Sequence, residues 1–491
     1  MINEGHDLLL TVLVVLPIAT RTVLALLPKL PAEPARLLTL LVTLATFGLS
    51  IALLATDPRG GLTREIDVPW IAALGVRWHL AVDGISAPLI VLTTLLMPIV
   101  VLASYGHVHD RVRQYCVLLL LMEGGMVGVF AALDLVLFYV FFEMSLIPLY
   151  LVIGIYGGAR RAMAALKFVL FTVAGSLLLL LAIVWLRVHT GSGDFATIRA
   201  AAFTAEQQFW LFCAFAAAFC VKVPLVPLHT WLPDAHVEAP TGGSVVLAGV
   251  TLKMGTYGLL RFCLPLFPDG AQRAAPLLMA LAVAGILYGA LLAWAQKDLK
   301  KIIAYSSVSH LGFVVLGLFA LQSTAATGSV LQMVNHGLST GALFLLIGMI
   351  YERAHVRGLS DFGGLARTMP RFAFALVFAT LSSIGLPGLN GFVGEFAILV
   401  GTFRDHPVAA SLAAVGVLLG AIYMLGLVKA LLFGPVANPK AATWRDLTGR
   451  ECLMLAPLFV LMVAIGVRPQ AFVKPIEPAV VNALEPALLR K

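Results

Sequence analysis

Apolar stretches of about twenty residues recur along the whole chain, and no other feature constrains its fold as strongly. A helix of that length crosses the roughly 30 Å hydrocarbon layer of a bilayer. Of the 491 residues, 60% are hydrophobic and 12% are charged, whereas a soluble domain has about a quarter charged residues. The stretches are rich in Leu, Ala and Gly and lack long β-branched alternation. They therefore predict membrane helices rather than a β-barrel.

The sequence predicts an all-α membrane protein with about 14 transmembrane helices. The N-terminus, MINEGHD, lacks the basic segment and cleavage site of a signal peptide, so the first span is expected to be retained. The predicted spans lie near 8–27, 36–55, 84–105, 114–133, 135–155, 163–187, 208–237, 243–265, 276–295, 301–321, 330–351, 371–402, 407–433 and 451–467.

Basic residues are concentrated in every second loop, and the positive-inside rule makes those loops cytoplasmic. With an even number of spans, both termini are then expected on the periplasmic side of a bacterial inner membrane. The net charge of +8 therefore needs no nucleic-acid partner. The richer loops contain Lys29, Arg36, Arg111, Arg113, Arg160, Arg161, Lys297, Lys300, Lys301, Arg353, Arg357, Arg367, Arg371, Lys440, Arg445 and Arg450.

Two of the predicted spans are interrupted. The first contains Pro224 and Pro227 within CVKVPLVPLHTWLP, and the second contains Pro387 and Gly388 within SSIGLPGLNGFVGEF. Each proline removes a backbone donor and displaces the carbonyl four residues earlier. Such breaks are tolerated at membrane depth only where protein or water satisfies the freed backbone groups.

Interrupted helices at corresponding positions of two halves indicate inverted-topology repeats. Lys222 precedes Glu395 by 173 positions (395 − 222), and Glu143 precedes His310 by 167 (310 − 143). We therefore expect two inverted five-helix repeats, each containing a broken helix. The expected segments are a three-helix segment 1–113, a first repeat 114–267, a second repeat 268–433, and a C-terminal helix and tail 434–491.

Several ionisable residues lie inside the predicted spans, where a charge costs about 2.5–3.5 kcal/mol. A Glu–Lys pair whose partners approach and separate can hold and release a proton, and histidine titrates near neutral pH. A structural ion pair could explain Glu143 and Lys222 alone, and helix packing could explain either histidine alone, but neither explains the whole set. The candidates for proton translocation are Glu143, Lys222, Lys253, His310, His336 and Glu395.

Other polar residues have simpler expected roles. Lys167 and Arg261 lie near span ends, where long basic side chains snorkel towards water. Asp83 and Asp134 open spans and are expected to be N-caps. Glu123 lies deep enough in LLLLMEGGMVGVF to join the proton-carrying group, although helix packing could also use it.

The sequence contains no pattern that would hold a redox group. Its five cysteines are scattered and form no CxxC pair. No iron–sulfur spacing and no glycine-rich strand-to-helix turn occurs. We therefore expect no catalytic residue, no metal and no cofactor on this chain.

Two long stretches resemble a known family. KVPLVPLHTWLPDAHVEAPTGGSVVLAGVTLKMGTYGLLRF is similar to the signature of antiporter-like proton-conducting membrane subunits, and QKDLKKIIAYSSVSHLGF resembles the next signature. That family includes the three large antiporter-like subunits of respiratory complex I and subunits of multisubunit cation/proton antiporters. GLPGLNGFVGEF places Glu395 where most relatives carry lysine. This feature, together with DLVLFYVFFEMSLIPLYLVIGIYG, resembles the M-type subunit of complex I.

The resemblance implies a role for each candidate residue. Glu143 and Lys222 match the family's switching pair, and Lys253 matches the lysine of its central hydrophilic axis. The remaining three positions match two relay histidines and a terminal acid, and they are His310, His336 and Glu395.

The resemblance also implies a function, a proton-translocating subunit of bacterial NADH:quinone oxidoreductase. Its partners would be the other antiporter-like membrane subunits and the lipid bilayer, while FMN, iron–sulfur clusters and quinone would be bound by partner subunits. Two alternatives remain open, a subunit of a multisubunit cation/proton antiporter and a non-conducting membrane scaffold.

Overall fold

The computed structural model describes residues 7–489 except Ala437, and helices dominate that part of the chain. Among the described residues, twelve helices are long and apolar enough to cross a membrane. Two further crossings each consist of two helices on either side of a break. The prediction of about 14 spans is therefore confirmed. The two chain ends, 1–6 and 490–491, lie outside the described residues.

The first half of the bundle begins with nine helices. In chain order they are α1 (Leu9–Leu26), α2 (Ala32–Ser50), α3 (Ser86–His107), α4 (Val112–Ala131), α5 (Leu135–Tyr156), α6 (Arg161–Thr190), α7 (Phe195–Ala200), α8 (Ala205–Lys222) and α9 (Trp231–Glu238).

The next span, Thr241–Leu266, is continuous but contains two π-helical segments, Leu247–Thr251 and Leu259–Cys263. Its α-helical parts and the helices that follow are α10 (Thr241–Val246), α11 (Leu252–Gly258), α12 (Leu264–Leu266), α13 (Pro268–Trp294), α14 (Leu299–Phe319), α15 (Ser323–Ala354), α16 (Leu365–Thr368), α17 (Pro370–Ser383), α18 (Asn390–Asp405), α19 (Pro407–Leu432), α20 (Gly449–Val467) and α21 (Pro469–Leu488).

A two-stranded antiparallel hairpin occupies the segment between α2 and α3, where the sequence predicts no element. Its strands are β1 (Thr63–Ile71) and β2 (Val76–Val82), joined by a turn in which Gly75 has a φ of 57°. That left-handed conformation suits glycine because it has no Cβ. The hairpin is fixed to the bundle because the Leu133 amide donates to the His79 carbonyl at 2.9 Å.

Two short backbone bridges relate the two halves of the chain. Asp134 pairs with Asp194, and Asp298 pairs with Gly358, so the members of the two bridges are 164 positions apart (298 − 134 and 358 − 194). Asp134 caps α5 and Asp298 caps α14, each accepting hydrogen bonds from the amides two and three residues further on. The same local structure is therefore built twice, and the prediction that Asp134 is an N-cap is confirmed.

The two bridges lie at opposite ends of the bundle. The first lies beside the hairpin, at what we call the hairpin face. The second lies at the other end, which we call the basic face because its loops contain Arg111, Arg160, Lys297 and Arg357. There the Leu299 amide donates to the Arg357 carbonyl at 3.0 Å. Equivalent structures at opposite ends are the geometry of inverted repeats.

The two breaks share one backbone hydrogen-bond pattern. In both, an amide bonds to the carbonyl five residues earlier, Leu225 to Cys220 at 2.9 Å and Leu386 to Leu381 at 3.0 Å. The amide three residues further on then bonds back to that leucine. Two different proline-containing sequences thus interrupt the two repeats in the same way.

The C-terminal tail that follows α20 is helical as well. α21 packs against α12, α13, α15 and α20, and it contains three internal prolines, Pro475, Pro478 and Pro486. Prolines at this density argue against a helix in a sequence, which is why the tail carries no predicted element.

Candidate proton-transfer site

Lys253 lies at the centre of a buried polar series. It belongs to α11, between the two π-helical segments, and its side chain is fully buried. Its ammonium group donates to the Ala248 carbonyl within the same span and lies 2.7 Å from Nδ1 of His336 on α15. π-Helical turns occur often at functional sites, where they redirect a side chain.

The series continues from His336 to the second break. The ring centroids of His336 and His310 are 5.9 Å apart, and Nδ1 of His310 lies 2.7 Å from Oε1 of Glu395 on α18. All three side chains are buried. The structure therefore brings four of the six predicted residues into one series, from Lys253 through two histidines to Glu395.

Neutral polar side chains surround the Glu395 end of this series. Gln332 Nε2 donates to Glu395 Oε1 at 3.0 Å. Asn335 Nδ2 donates to the Asn390 carbonyl at 2.7 Å, and Ser382 Oγ donates to Asn390 Oδ1 at 2.6 Å. The bond from Asn335 satisfies a backbone carbonyl beside the second break, as membrane depth requires.

These neutral residues were not predicted from the sequence, because only ionisable side chains stand out at membrane depth. The sequence did contain a signal, because four polar residues follow one another at spacings of three, one and three on one face of α15. They are Gln332, Asn335, His336 and Ser339. Two of their polar atoms, Asn335 Oδ1 and His336 Nε2, have no hydrogen-bond partner among the described residues. Both residues line the same small cavity.

The charged residue at the first break has different surroundings from Glu395. Lys222 ends α8 and is buried, with its ammonium group 5.0 Å from the ring centroid of Phe142 and 5.9 Å from that of Phe168. Within the part of the chain that the structure describes, that ammonium makes no hydrogen bond or ion pair. Glu143 on α5 is half-buried and lies beyond ion-pair distance of it. The switching role of the Glu143–Lys222 pair stays a prediction.

The first break nevertheless contacts the helix that carries Lys253. A Cβ at Gly255 would lie 2.7 Å from the Phe219 carbonyl oxygen and 3.0 Å from the Val223 amide nitrogen. Glycine is therefore required for α11 to pack directly against the end of α8. Trp231 completes the break by donating its indole N–H to the Val221 carbonyl at 3.0 Å.

Two basic residues near the predicted span ends form ion pairs. Arg261 is buried, and its Nη2 lies 2.6 Å from both carboxylate oxygens of Asp83. The prediction that Arg261 snorkels is wrong, because Asp83 supplies a partner inside the protein. Asp83 also accepts from the Ile85 and Ser86 amides, as expected of a residue that opens a span. Lys167 Nζ lies 2.7 Å from Asp234.

A polar cleft opens on the basic face beside the end of the first broken helix. His107 contacts both Glu352 and Thr241 there, and Lys300 Nζ donates to the Ala239 carbonyl at 2.8 Å. These residues line the cleft, which ends at the first turn of the span that carries Lys253. The sequence treats Lys300 only as a loop charge, so it gave no indication of this cleft.

Three features together define the class of protein. The bundle has two inverted repeats, each repeat has a broken helix, and a buried series of ionisable side chains runs between the repeats. Such a chain is a polytopic ion-translocating membrane protein, in which the breaks and the intramembrane charges mark the ion path.

Comparison with known proteins gives the family within that class. Residues 132–421 match the model described as NADH:quinone oxidoreductase/Mrp antiporter, TM, and residues 69–127 match the model for NADH-ubiquinone oxidoreductase chain 4, amino terminus. The chain is 44% identical to NADH-quinone oxidoreductase subunit M of Rhodobacter capsulatus, covering 97% of this chain and 96% of that protein. The chain therefore belongs to the NADH:quinone oxidoreductase/Mrp antiporter family.

Two solved structures have the same fold. Respiratory complex I from Thermus thermophilus contains a chain with 36% identity and a TM-score of 0.88, covering 97% of this chain and 99% of that chain. The Mrp complex from Dietzia gives a TM-score of 0.89 at 21% identity, covering 99% of both chains, and at that identity it shows the fold alone.

Proposed function

We propose that this chain is the M-type proton-translocating subunit of a bacterial NADH:quinone oxidoreductase, placed in the inner membrane with both termini periplasmic. The observation that carries the proposal is the buried series Lys253–His336–His310–Glu395. Four ionisable side chains at membrane depth are costly to keep, and their contacts form a route for a proton. The family and its subunit M relatives supply the reaction with which this route is coupled.

Proton transfer along the series follows from its donor and acceptor atoms. Lys253 can give a proton to Nδ1 of His336, which then releases the proton on its own Nε2. A water molecule in the adjacent small cavity would carry that proton towards His310. His310 in turn shares a proton with Glu395 through Nδ1. Glu395 is the terminal group, which exchanges the proton with the far half-channel.

Lys222 and Glu143 set the electrostatics of the first break. Because the Lys222 ammonium lies over the rings of Phe142 and Phe168 and has no ion-pair partner within 4 Å among the described residues, its charge is weakly stabilised, by about 0.5–2 kcal/mol from cation–π contacts. Approach of the Glu143 carboxylate would stabilise that charge, and withdrawal would favour loss of the proton. Lys222 would thereby switch the proton affinity of Lys253 on the neighbouring helix.

The two repeats then divide the path. In this proposal, protons enter through the cleft between Thr241 and Lys300, on the basic face that the positive-inside rule makes cytoplasmic, and reach Lys253 in segment 114–267. Segment 268–433 delivers them to Glu395, and segments 1–113 and 434–491 flank the path. FMN, iron–sulfur clusters and quinone would be bound by partner subunits.

A test replaces Lys222 with Met in the native host, which removes the charge and keeps an unbranched side chain. We expect NADH-driven acidification of inverted vesicles to be lost, while NADH–ferricyanide activity, which reports assembly, stays normal. Lys222→Arg should retain part of the pumping, and Lys429→Met, at an exposed lysine of α19, should retain all of it. Pumping by Lys222→Met at the wild-type ratio would contradict the proposal and favour a scaffold.

The antiporter alternative is tested in the same vesicles. Sodium-dependent antiport without any NADH-driven acidification in the unmodified strain would replace the complex I assignment. The 44% identity to a subunit M over nearly the whole chain favours the complex I reading.

A further inference from the structure

A row of hydroxyl side chains follows one face of α2, outside the buried series described above. The hydroxyls belong to Thr39, Thr43, Thr46 and Ser50, all of them fully buried. Their spacings of four, three and four place them on one helical face, which packs against α3 and α4. Most of them donate only to carbonyls of their own helix or to a neighbouring hydroxyl. Thr46 is different.

Thr46 contacts a buried carboxyl group. Glu123, in the middle of α4, has no exposed surface, and its Oε1 lies 2.5 Å from Thr46 Oγ1. Its Oε2 is buried and has no hydrogen-bond partner among the described residues. Within that part of the chain no basic side chain forms an ion pair with Glu123. A carboxyl group at this depth without a cation is not explained as a structural ion pair.

The hydrogens available at Thr46 are too few for its contacts if Glu123 is ionised. Thr46 Oγ1 lies 2.9 Å from the Thr43 carbonyl oxygen and 2.5 Å from Glu123, yet a hydroxyl has one hydrogen to donate. When Glu123 carries a proton, it donates to Thr46 and Thr46 donates to Thr43. When Glu123 is ionised, Thr46 must turn to the carboxylate and the Thr43 carbonyl loses this donor.

Glu123 also lies at the depth of the proposed switching pair. A Cβ at Gly125 would lie 3.4 Å from the Ser145 amide nitrogen, so α4 and α5 touch at these residues. Glu123 and Glu143 are each two residues from that contact. At about 1.5 Å per residue, they lie within about 6 Å of the same depth.

We propose that Glu123 is a second proton-binding site of this subunit, loaded and unloaded as the Thr46 hydroxyl turns between the Thr43 carbonyl and the carboxyl group. On unloading, the O–H bond of the carboxylic acid breaks, its proton passes to a water molecule, and Thr46 donates to the carboxylate. On loading, the reverse occurs. The hydroxyl row of α2 supplies the polar surface along which water reaches the site. Its role in pumping rests on the proposed function above.

Infrared difference spectra of the membrane-bound complex, before and after reduction by NADH, test this proposal. The carbonyl group of a protonated carboxylic acid gives a band at a higher frequency than the carbonyl of an amide or the carboxylate group. We expect one such band to change on reduction, to disappear in Glu123→Gln and to shift in Glu123→Asp. Thr46→Val should move the band and Thr46→Ser should retain it. Thr172→Val, at a buried threonine that donates to its own helix at Phe168, should leave it unchanged.

The outcomes separate this proposal from the proposed function. If Glu123→Gln assembles and keeps every carboxylic acid band of the wild type, the proton-binding role of Glu123 is wrong, whatever Lys222→Met does. If Glu123→Gln fails to assemble, the contrast between Thr46→Val and Thr46→Ser decides, and equal spectra from those two variants would overturn the proposal. Loss of the band with pumping by Lys222→Met intact would instead support the site and contradict the axis.

Discussion

The two broken helices have the same backbone interruption but opposite surroundings. At the first break, the rings of Phe142 and Phe168 lie beside the Lys222 ammonium group, which has no hydrogen bond or ion pair among the described residues. At the second, Glu395 is hydrogen-bonded to His310 and Gln332, and the Asn335 side-chain amide donates to the Asn390 carbonyl. The same bonding pattern, with an amide bonded five residues back, occurs in both.

The difference shows that repeat symmetry fixes the backbone but not the chemistry. A charge with ring contacts and no close ion-pair partner is weakly held, so its state depends on a partner that can approach, which suits a switch. A carboxylate with several fixed donors is held in place, which suits a terminal exchange site. The predictions below test whether the two breaks differ in this way.

The largest effect is expected from Glu395→Gln. It replaces the carboxyl group that lies 2.7 Å from His310 Nδ1 with an amide, which cannot take up and release a proton in the path. We expect NADH-driven acidification to fall at least about tenfold, because the terminal proton-exchange group is lost, whereas ferricyanide activity should be retained; a tenfold loss corresponds to about 1.4 kcal/mol of activation free energy. Glu395→Asp should keep most of the pumping. Near-normal pumping by the glutamine variant would remove Glu395 from the path.

A smaller difference should separate the neighbours of the two charges. Gln332→Leu removes a hydrogen bond to a charged group, worth about 1.5–3 kcal/mol, whereas Phe142→Leu removes one cation–π contact, worth about 0.5–2 kcal/mol. We expect Gln332→Leu to slow proton pumping about tenfold and Phe142→Leu only a few-fold. Both rates would be measured in vesicles matched for ferricyanide activity. The reverse order would show that the first break is the more rigidly held of the two.

The smallest effect concerns the anchors of the repeats at the membrane surface. His79 on the hairpin lies 2.6 Å from Asp194 and 2.9 Å from Glu65. Burial alone would lower the pKa of His79, but the hydrogen bonds with Asp194 and Glu65 outweigh burial and raise that pKa above 6.5. Burial would raise the pKa of Asp194, but the bond from His79 outweighs it and the pKa falls below 3.8. The corresponding anchor of the second repeat pairs Asp298 with Gly358.

These shifts set a pH window for the first anchor alone. The raised pKa of His79 gives stability that is complete below pH 6.5 and is lost as the pH rises through its folded value. The lowered pKa of Asp194 gives stability that is complete above pH 3.8 and is lost as the pH falls. We expect the hairpin to resist proteolysis better at pH about 5.5 than at about 8.5, because the protonated form of His79 stabilises the folded anchor. His79→Gln should abolish the difference, and an unchanged pH dependence in that variant would assign it elsewhere.

The sequence predicts the helices and both breaks because their signals are local. Length, apolar composition and the prolines at 224, 227 and 387 suffice for that purpose. The ionisable residues of the series were also predictable, because each is costly at membrane depth. The contacts that join them were not, since Gln332, Asn335 and Ser382 are ordinary polar residues whose role appears only when α15 and the second break meet.

Ion pairs between residues far apart in the sequence could not be predicted either. Asp83 and Arg261 are 178 positions apart, so Arg261 looks like a span-end residue until the two elements are placed side by side. The Glu143–Lys222 pair shows the opposite: it was predicted, but the structure does not form it. It is plausible from sequence and family, and yet the two charges are apart in this structure.

The π-helical segments on either side of Lys253 determine the direction in which its side chain points from the helix axis, independently of the length of the span. Each wide turn holds one residue more than an α-turn, so the faces of the helix before and after it are out of step by about 100°. Deleting one residue from Leu247–Thr251 would leave enough helix to cross the membrane, yet it would rotate Lys253 away from His336. For this span, a change in the number of residues before the lysine would therefore be more damaging than most changes in their identity.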